Sequence, residues 1–289
     1  MANLSSRQFL RRLGSRRSLN YDQRMKLKNC SALITGASSG IGREFARQLA
    51  NRARKIVLVA RRSERLADLR DELLNRNPNL DVHVRVADLA DKAQIESLID
   101  SLVRDKIDVD VLINNAGLGD SGRFATSDPI RNEQMALVNV VAPTSLTRRL
   151  LPQMIAKRRG GILNISSSAG FLPIPGDAVY AATKAYVTSF SEAIRAELRG
   201  KGVSVCAVCP GPVNTEFQEV AKRPGGQPEM GSKIFFVSTK RVVRAALAAL
   251  EADRPLVIPG FAMKFAMLLT RLMPMPVVRL ILRLSPGRG

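Results

Sequence analysis

Ser31-Ala32-Leu33-Ile34-Thr35-Gly36-Ala37-Ser38-Ser39-Gly40-Ile41-Gly42 runs from an apolar strand-like segment into a glycine-rich turn and then into helical spacing. A turn of this kind lets backbone N–H groups approach a pyrophosphate at the positive end of a helix. Gly36 is expected to permit the tight turn, Gly40 the close approach, and Gly42 the packing of helix on strand. The spacing is Gly-x-x-x-Gly-x-Gly, so the commoner dinucleotide fingerprint is only loosely met. Gly36, Ser38 and Gly40 also satisfy Gly-x-Ser-x-Gly, the nucleophile elbow of a hydrolase. That reading is disfavoured: the turn follows the first strand directly, and its base would have to be His83, the only histidine, inside a strand-like run.

Outward from this turn, Val/Ile-rich runs recur at 31–35, 56–60, 82–86, 110–113, 162–166, 203–208 and 255–258. Segments with helical periodicity separate them, at 41–52, 64–76, 92–104, 131–157, 178–199 and 239–252. Strand and helix in strict alternation predict one Rossmann-type, doubly wound α/β domain with a seven-stranded parallel sheet. Residues 28–258 form that domain, with a basic extension at 1–27 and a basic amphipathic tail at 259–289. Residues 216–238 break the rhythm with Lys222-Arg223-Pro224-Gly225-Gly226-Gln227-Pro228, which reads as an insertion.

The second strand ends in Arg61-Arg62, where NAD binders carry an acid for the ribose hydroxyls. Guanidinium groups suit a 2′-phosphate through charge-assisted, fork-shaped contacts. The pair therefore favours NADP(H) over NAD(H), predominantly through Arg61.

Tyr180-Ala181-Ala182-Thr183-Lys184 puts a phenol and an ammonium one helical turn apart on one face. Free tyrosine titrates near pH 10, so work as an acid/base at neutrality needs roughly 3–4 kcal/mol of preferential phenolate stabilisation. Lys184, a nicotinamide cation and partial desolvation are the expected sources. Ser167 follows the strand 162–166, where a hydroxyl faces the ligand crevice of such a sheet. Ser166 and Ser168 are rivals by composition, though alternation points them elsewhere.

With these residues in order, the chain resembles the short-chain dehydrogenase/reductase family over roughly residues 28–258. The signatures are Thr35–Gly42, Asp88, Asn114-Asn115-Ala116-Gly117, Asn139, Ser167, Tyr180, Lys184, and Pro210-Gly211 with Thr215. The resemblance implies catalysis by Asn139, Ser167, Tyr180 and Lys184, with Asn139 holding a water linked to Lys184. It implies cofactor contacts from the glycine turn (Gly36, Ser38, Ser39, Gly40, Ile41, Gly42), from Arg61, Arg62, Asp88 and Leu89, and from Asn115, Ala116 and Gly117. Tyr180 and Lys184 join these, with Pro210, Gly211, Val213 and Thr215 seating the nicotinamide. The implied reaction is hydride transfer between nicotinamide and a carbonyl or alcohol, with no metal. Many NADP-type relatives place a Lys or Arg just before the second glycine of the turn, where this chain has Ser39.

The formal charge of +20 suggests nucleic acid at first sight, but +7 sits in residues 1–30 and +6 in residues 254–289, leaving +7 for everything between. No specific nucleic-acid partner is expected. The three cysteines read as reduced and structural, because Cys206 and Cys209 lie in or beside a strand. No secretory core precedes the domain, so a cytoplasmic protein is expected, while the Arg/Ser-rich start also reads as an organelle transit peptide. The tail from Phe261 onward mixes apolar clusters with cations. It is expected to lie on a membrane interface, fold over the substrate pocket, or pack on another subunit of a homodimer or homotetramer. The substrate class favoured is a hydrophobic ketone or 3-oxoacyl compound, and the alternative function is a cofactor-binding sensor with little turnover.

Overall fold

The computed structural model describes residues 25–221 and 233–284. Most of the basic N-terminal extension and the Lys222–Pro228 stretch lie outside the described residues. Seven strands form one parallel sheet: β1 (Cys30–Thr35), β2 (Ala53–Ala60), β3 (Asp81–Val86), β4 (Val111–Asn114), β5 (Gly160–Ile165), β6 (Val203–Val208) and β7 (Leu256–Val257). Their order is β3-β2-β1-β4-β5-β6-β7. The helices are α1 (Gly40–Leu49), α2 (Ser63–Arg76), α3 (Lys92–Arg104), α4 (Pro129–Ala136), α5 (Ala142–Ala156), α6 (Ala178–Glu197), α7 (Glu216–Ala221), α8 (Thr239–Glu251), α9 (Phe261–Leu272) and α10 (Met275–Leu284).

Strand β2 shows why the sheet must be covered twice. Side chains alternate across a strand, and here both sets are apolar. Ile56 and Leu58 join the core beneath α1, α2 and α8, with Phe45, Leu69 and Val243. Val57 and Val59 join the opposite core beneath α3 and α5, with Leu98, Leu102 and Leu146. A strand buried on both faces reads as a continuous apolar run, as parallel sheets require.

The chain winds outward from β1 to β3, then returns to lay β4 on the other side of β1. This is the switch point of a doubly wound sheet, and the crevice beyond the carboxyl ends of β1 and β4 is where such sheets bind ligands. The glycine turn after β1 and Asn115–Gly117 after β4 frame it.

The sequence expectation of one long helix over 131–157 is corrected. Helices α4 and α5 are joined by a π turn, Leu137–Val141, marked by the Ala142 N–H bonding to the Leu137 carbonyl. Pro143 has no N–H to return to the carbonyl of Asn139 four residues earlier, so the ladder shifts register there. The Glu216–Ala221 part of the insertion is also a helix, not an irregular segment.

Candidate active site

The turn after β1 adopts the conformation that its glycines allow. Gly36 and Gly40 have φ of 65° and 53°, a region L side chains rarely enter. A Cβ on Gly42 would stand 2.2 Å from the Gly36 carbonyl oxygen and 2.5 Å from Asn115 Nδ2. Helix α1 therefore closes directly on the turn. Ser39 at its N-cap gives the helix no side-chain bond, which leaves the positive end for an outside anion. Ile41 packs partly buried on the core. Thr215 closes the turn from above, within 3.3 Å of where a Gly40 Cβ would lie.

Strand β4 is clamped to the turn. Thr35 Oγ1 accepts from the N–H groups of Asn115 (2.9 Å) and Ala116 (3.0 Å). Asn115 Nδ2 donates to the Thr35 carbonyl at 2.9 Å. Below, Asn114 donates to Asn164 (2.8 Å) and Thr147, and Asn164 donates to Ser191. This buried ladder fixes β4, β5 and α6 against one another, although Asn114 Oδ1 finds no partner among the described residues.

At the end of β2 the two arginines take different places. Arg62 donates to Ser38 Oγ through Nε and Nη2, at 3.3 and 3.1 Å. Arg61 points into the open, 3.8 Å from the Asp88 carboxylate. Arg62 also meets Glu216 at 3.0 Å, and Arg65 grips both oxygens of that carboxylate at 2.6 and 2.7 Å. Together they hold the Glu216 carboxyl below its usual range. Arg65 escapes the reading by strand ends because it lies on α2, yet it stands one turn beyond Arg62 and shares its face. Asp88 accepts from the Ala90 N–H within its own loop, while Leu89 is buried beside Val57 and Val59.

The reacting group is built where β5, α4–α5 and α6 meet. Lys184 is buried, and its Nζ donates to the Ile165 carbonyl at 2.9 Å. Gly117 makes room for it: a Cβ there would be 3.4 Å from both Lys184 Nζ and Asn139 Oδ1. Asn139 accepts from the Leu118 N–H (2.8 Å), and its amide donates to the Leu118 carbonyl (2.9 Å) and Thr183 (3.0 Å). It thus binds the 116–118 loop to α6. Lys184 Nζ lies 5.6 Å from the centre of the Tyr180 ring.

Of the three adjacent serines, Ser166 is spent on the Lys184 carbonyl and Thr188, both at 2.7 Å. Ser167 caps the turn Ser168–Phe171, its Oγ accepting from the Ala169 N–H at 3.1 Å, and its hydroxyl acts to lower the Tyr180 pKa. One expectation reverses. Desolvation does not help the phenolate: burial, with the Asp177 charge adding to it, pushes Tyr180 up to about 12 against the Ser167 hydrogen bond. Burial also pushes the Lys184 ammonium down to about 8.

The substrate side is apolar. Phe217 of α7 stands 5.6 Å from the Tyr180 ring, centre to centre, and presses on Gly119. Val213 is buried in the core, and the Pro210 carbonyl accepts from the Ser168 N–H. Met263 of α9 lies over Gly211, where a Cβ would be 2.5 Å from its Cε. Helix α9 thus lies against the Pro210-Gly211 segment. Phe217 and Met263 were not foreseen, because each comes from a late element with no motif of its own. His83 sits on edge strand β3 beside Asp81 at 2.9 Å, and Ser38 Oγ is engaged by Arg62, which removes the hydrolase arrangement. All three cysteines are free and buried.

A phenol, a buried ammonium and a hydroxyl beside the switch point of a doubly wound sheet are the plan of a dehydrogenase. The family model for short chain dehydrogenases matches residues 31–224. Sulfoacetaldehyde reductase 2 of Chromohalobacter salexigens is 38% identical over 205 residues, covering 70% of this chain and 79% of that protein. An NADP-dependent 3-hydroxy acid dehydrogenase of Salmonella typhimurium is also 38% identical over 205 residues, covering 70% and 80%. A short-chain dehydrogenase from Sphingobium yanoikuyae, solved in complex with NADPH, superposes with a TM-score of 0.73 at 32% identity, covering 84% of this chain and 93% of that one. The chain belongs to the short-chain dehydrogenase/reductase family of oxidoreductases. No helix among the described residues is long and apolar enough to cross a membrane.

Proposed function

We propose that this protein is an NADP(H)-dependent reductase of a hydrophobic carbonyl compound, with Tyr180 as the proton donor. The convergence of Ser167, Tyr180 and Lys184 at the ligand crevice carries this reading. The residues present fit a dinucleotide phosphate. An uncapped α1 N-terminus suits the pyrophosphate, and Arg62 and Arg65, with no acid at the end of β2, suit a 2′-phosphate. The Sphingobium relative was solved with NADPH, in keeping with that preference.

When bound, the nicotinamide supplies the hydride. Ser167 holds the carbonyl oxygen beside Tyr180, and the Tyr180 hydroxyl gives its proton to that oxygen. Burial pushes the Lys184 ammonium down to about 8, and as a cation it stabilises the phenolate left behind. Burial pushes the phenol up to about 12, so giving up its proton relies on the Lys184 ammonium to stabilise the phenolate. Phe217 and Met263 line the approach with apolar surface, which favours a hydrophobic ketone or 3-oxoacyl substrate. A panel of ketones, aldehydes and 3-oxoacyl thioesters, followed by NADPH consumption with NADH alongside, tests this. Turnover of apolar ketones with NADPH preferred is the expected result. Tight NADPH binding with no turnover would instead indicate a cofactor sensor.

A further inference from the structure

The last two described helices leave a surface that water alone does not explain. On α9, Met263 and Met267 are buried against the domain. The turn Ser168–Phe171 lies against the helix, and Arg271 stacks 4.9 Å over the Phe171 ring and pairs with Glu192. That fixes the inner face. The opposite stripe, Phe261, Phe265, Leu268 and Leu272, follows i, i+4, i+7, i+11 and faces outward, with Phe261 81% and Leu272 72% exposed. Met275 and Leu280 of α10 extend it, while Val278 is buried. Contiguous large apolar side chains of this extent mark a contact surface.

The charges select the occupant. Lys264 and Arg279 are exposed beside the stripe. From Arg254 to Gly289 the chain has six cations and no carboxylate. A two-fold contact between copies would repeat this patch against itself and bring the exposed Lys264 and Arg279 towards their copies, with no acidic residue on α9 or α10 to pair them. Anionic lipid headgroups supply the missing charge and acyl chains the apolar partner. Spanning is ruled out by length: α9 has 12 residues, about 18 Å of helix against about 30 Å of hydrocarbon, and Pro274 follows.

We infer that α9 and α10 form a monotopic docking surface that lies in the interface of an anionic membrane. The apolar stripe enters the headgroup boundary, and the inner face of α9 stays on the domain. This places the bilayer one helix diameter, roughly 10 Å, from Phe171 and Gly211. The docking itself does not depend on the reductase reading, because it is measured without turnover.

The full-length protein is sedimented with vesicles of phosphatidylcholine alone and with about 30% phosphatidylglycerol. Binding to the anionic vesicles is expected, weakened several-fold when salt rises from about 0.1 M to about 0.5 M. The variant F265D/L268D/L272D should lose about tenfold or more of that affinity, with unchanged melting temperature and NADPH binding. Because charge on a helix face can also unsettle folding, K264E/R279E provides a second test and should weaken anionic binding about tenfold. No sedimentation of the wild type would overturn the inference. Equal sedimentation of the aspartate variant would also overturn it, by assigning the binding to another segment. A dimer that the same variant splits, with no vesicle binding, would assign the face to a second copy.

Discussion

The crevice between β1 and β4 and the apolar wall formed by Phe217 beside Tyr180 and Met263 over Gly211 are built on different principles. The first is a matter of backbone. Gly36, Gly42, Thr35 and Asn115 touch one another through main-chain atoms or bonds to them, within a few residues of two adjacent strands. The second is assembled from side chains that arrive late, Phe217 from α7 and Met263 from α9, on elements that take no part in the sheet. A backbone cradle can hold one ligand shape and tolerates little change. A wall of side chains can be altered without disturbing the sheet, which is how one fold serves many substrates.

If that contrast is right, the largest effect should come from Gly42→Ala. Its methyl would fall on the Gly36 carbonyl, so a loss of about 4 kcal/mol and about 10 °C in Tm is expected, with NADPH binding lost too. An unchanged Tm and affinity would break the idea of a fixed cradle.

Lys184→Met comes next. Reductase activity should fall about a hundredfold or more, while the Tm of the cofactor-free protein stays level or rises, because a buried ammonium is removed. The pH dependence gives the sign. The folded value of about 8 lies below the usual 10.5, so the burial penalty is full below pH 8 and fades as pH rises towards 10. The Tm gap between variant and wild type should therefore narrow over that window. A gap that widens would mean that Lys184 is not held as a desolvated cation. Tyr180, raised by burial, acts with the opposite sign and only above pH 10.

A smaller change is expected at the end of β2. Arg62→Ala with Arg65→Ala should weaken NADPH about thirtyfold and leave NADH nearly unchanged. Glu216→Gln should tighten NADPH by a few-fold, since the carboxylate competes for the same guanidiniums. Titration with both cofactors separates these outcomes, and an equal loss for NADH would deny the 2′-phosphate role. The smallest effect belongs to the apolar wall. Met263→Ala should shift KM for bulky ketones about threefold to fivefold and leave NADPH affinity alone.

The same division decides what could be read from the residues. Every strand was legible, because central strands such as β2 are apolar on both faces, while edge strand β3 alternates Val82, Val84 and Val86 with polar residues. The cradle was legible too, since Gly36 and Gly42 are required by geometry local to the chain. Arg62, not Arg61, meets the turn, because a strand end sends neighbouring side chains in opposite directions, a distinction that the bare pair Arg61-Arg62 cannot express. The π turn had one signal, Pro143, but the apolar periodicity on either side runs through it. Phe217 and Met263 carried none. Their places depend on how α7 and α9 fold back across more than thirty residues, and periodicity reports only which face is apolar, not what it meets. The sign of the burial effect on the phenol is not legible in the Tyr180–Lys184 spacing: removing water raises the pKa of a neutral acid whose ionised form is charged, so desolvation works against the phenolate.

The central claim is that Tyr180 gives the proton in a nicotinamide-dependent carbonyl reduction. On the best substrate of the panel, NADPH oxidation by Tyr180→Phe should be compared with wild type, with NADPH affinity measured on the same samples. A fall in kcat/KM of about a thousandfold or more, with affinity kept within about twofold, is the result this account predicts. Turnover within about tenfold of wild type would contradict it and send the search for the proton donor to another group.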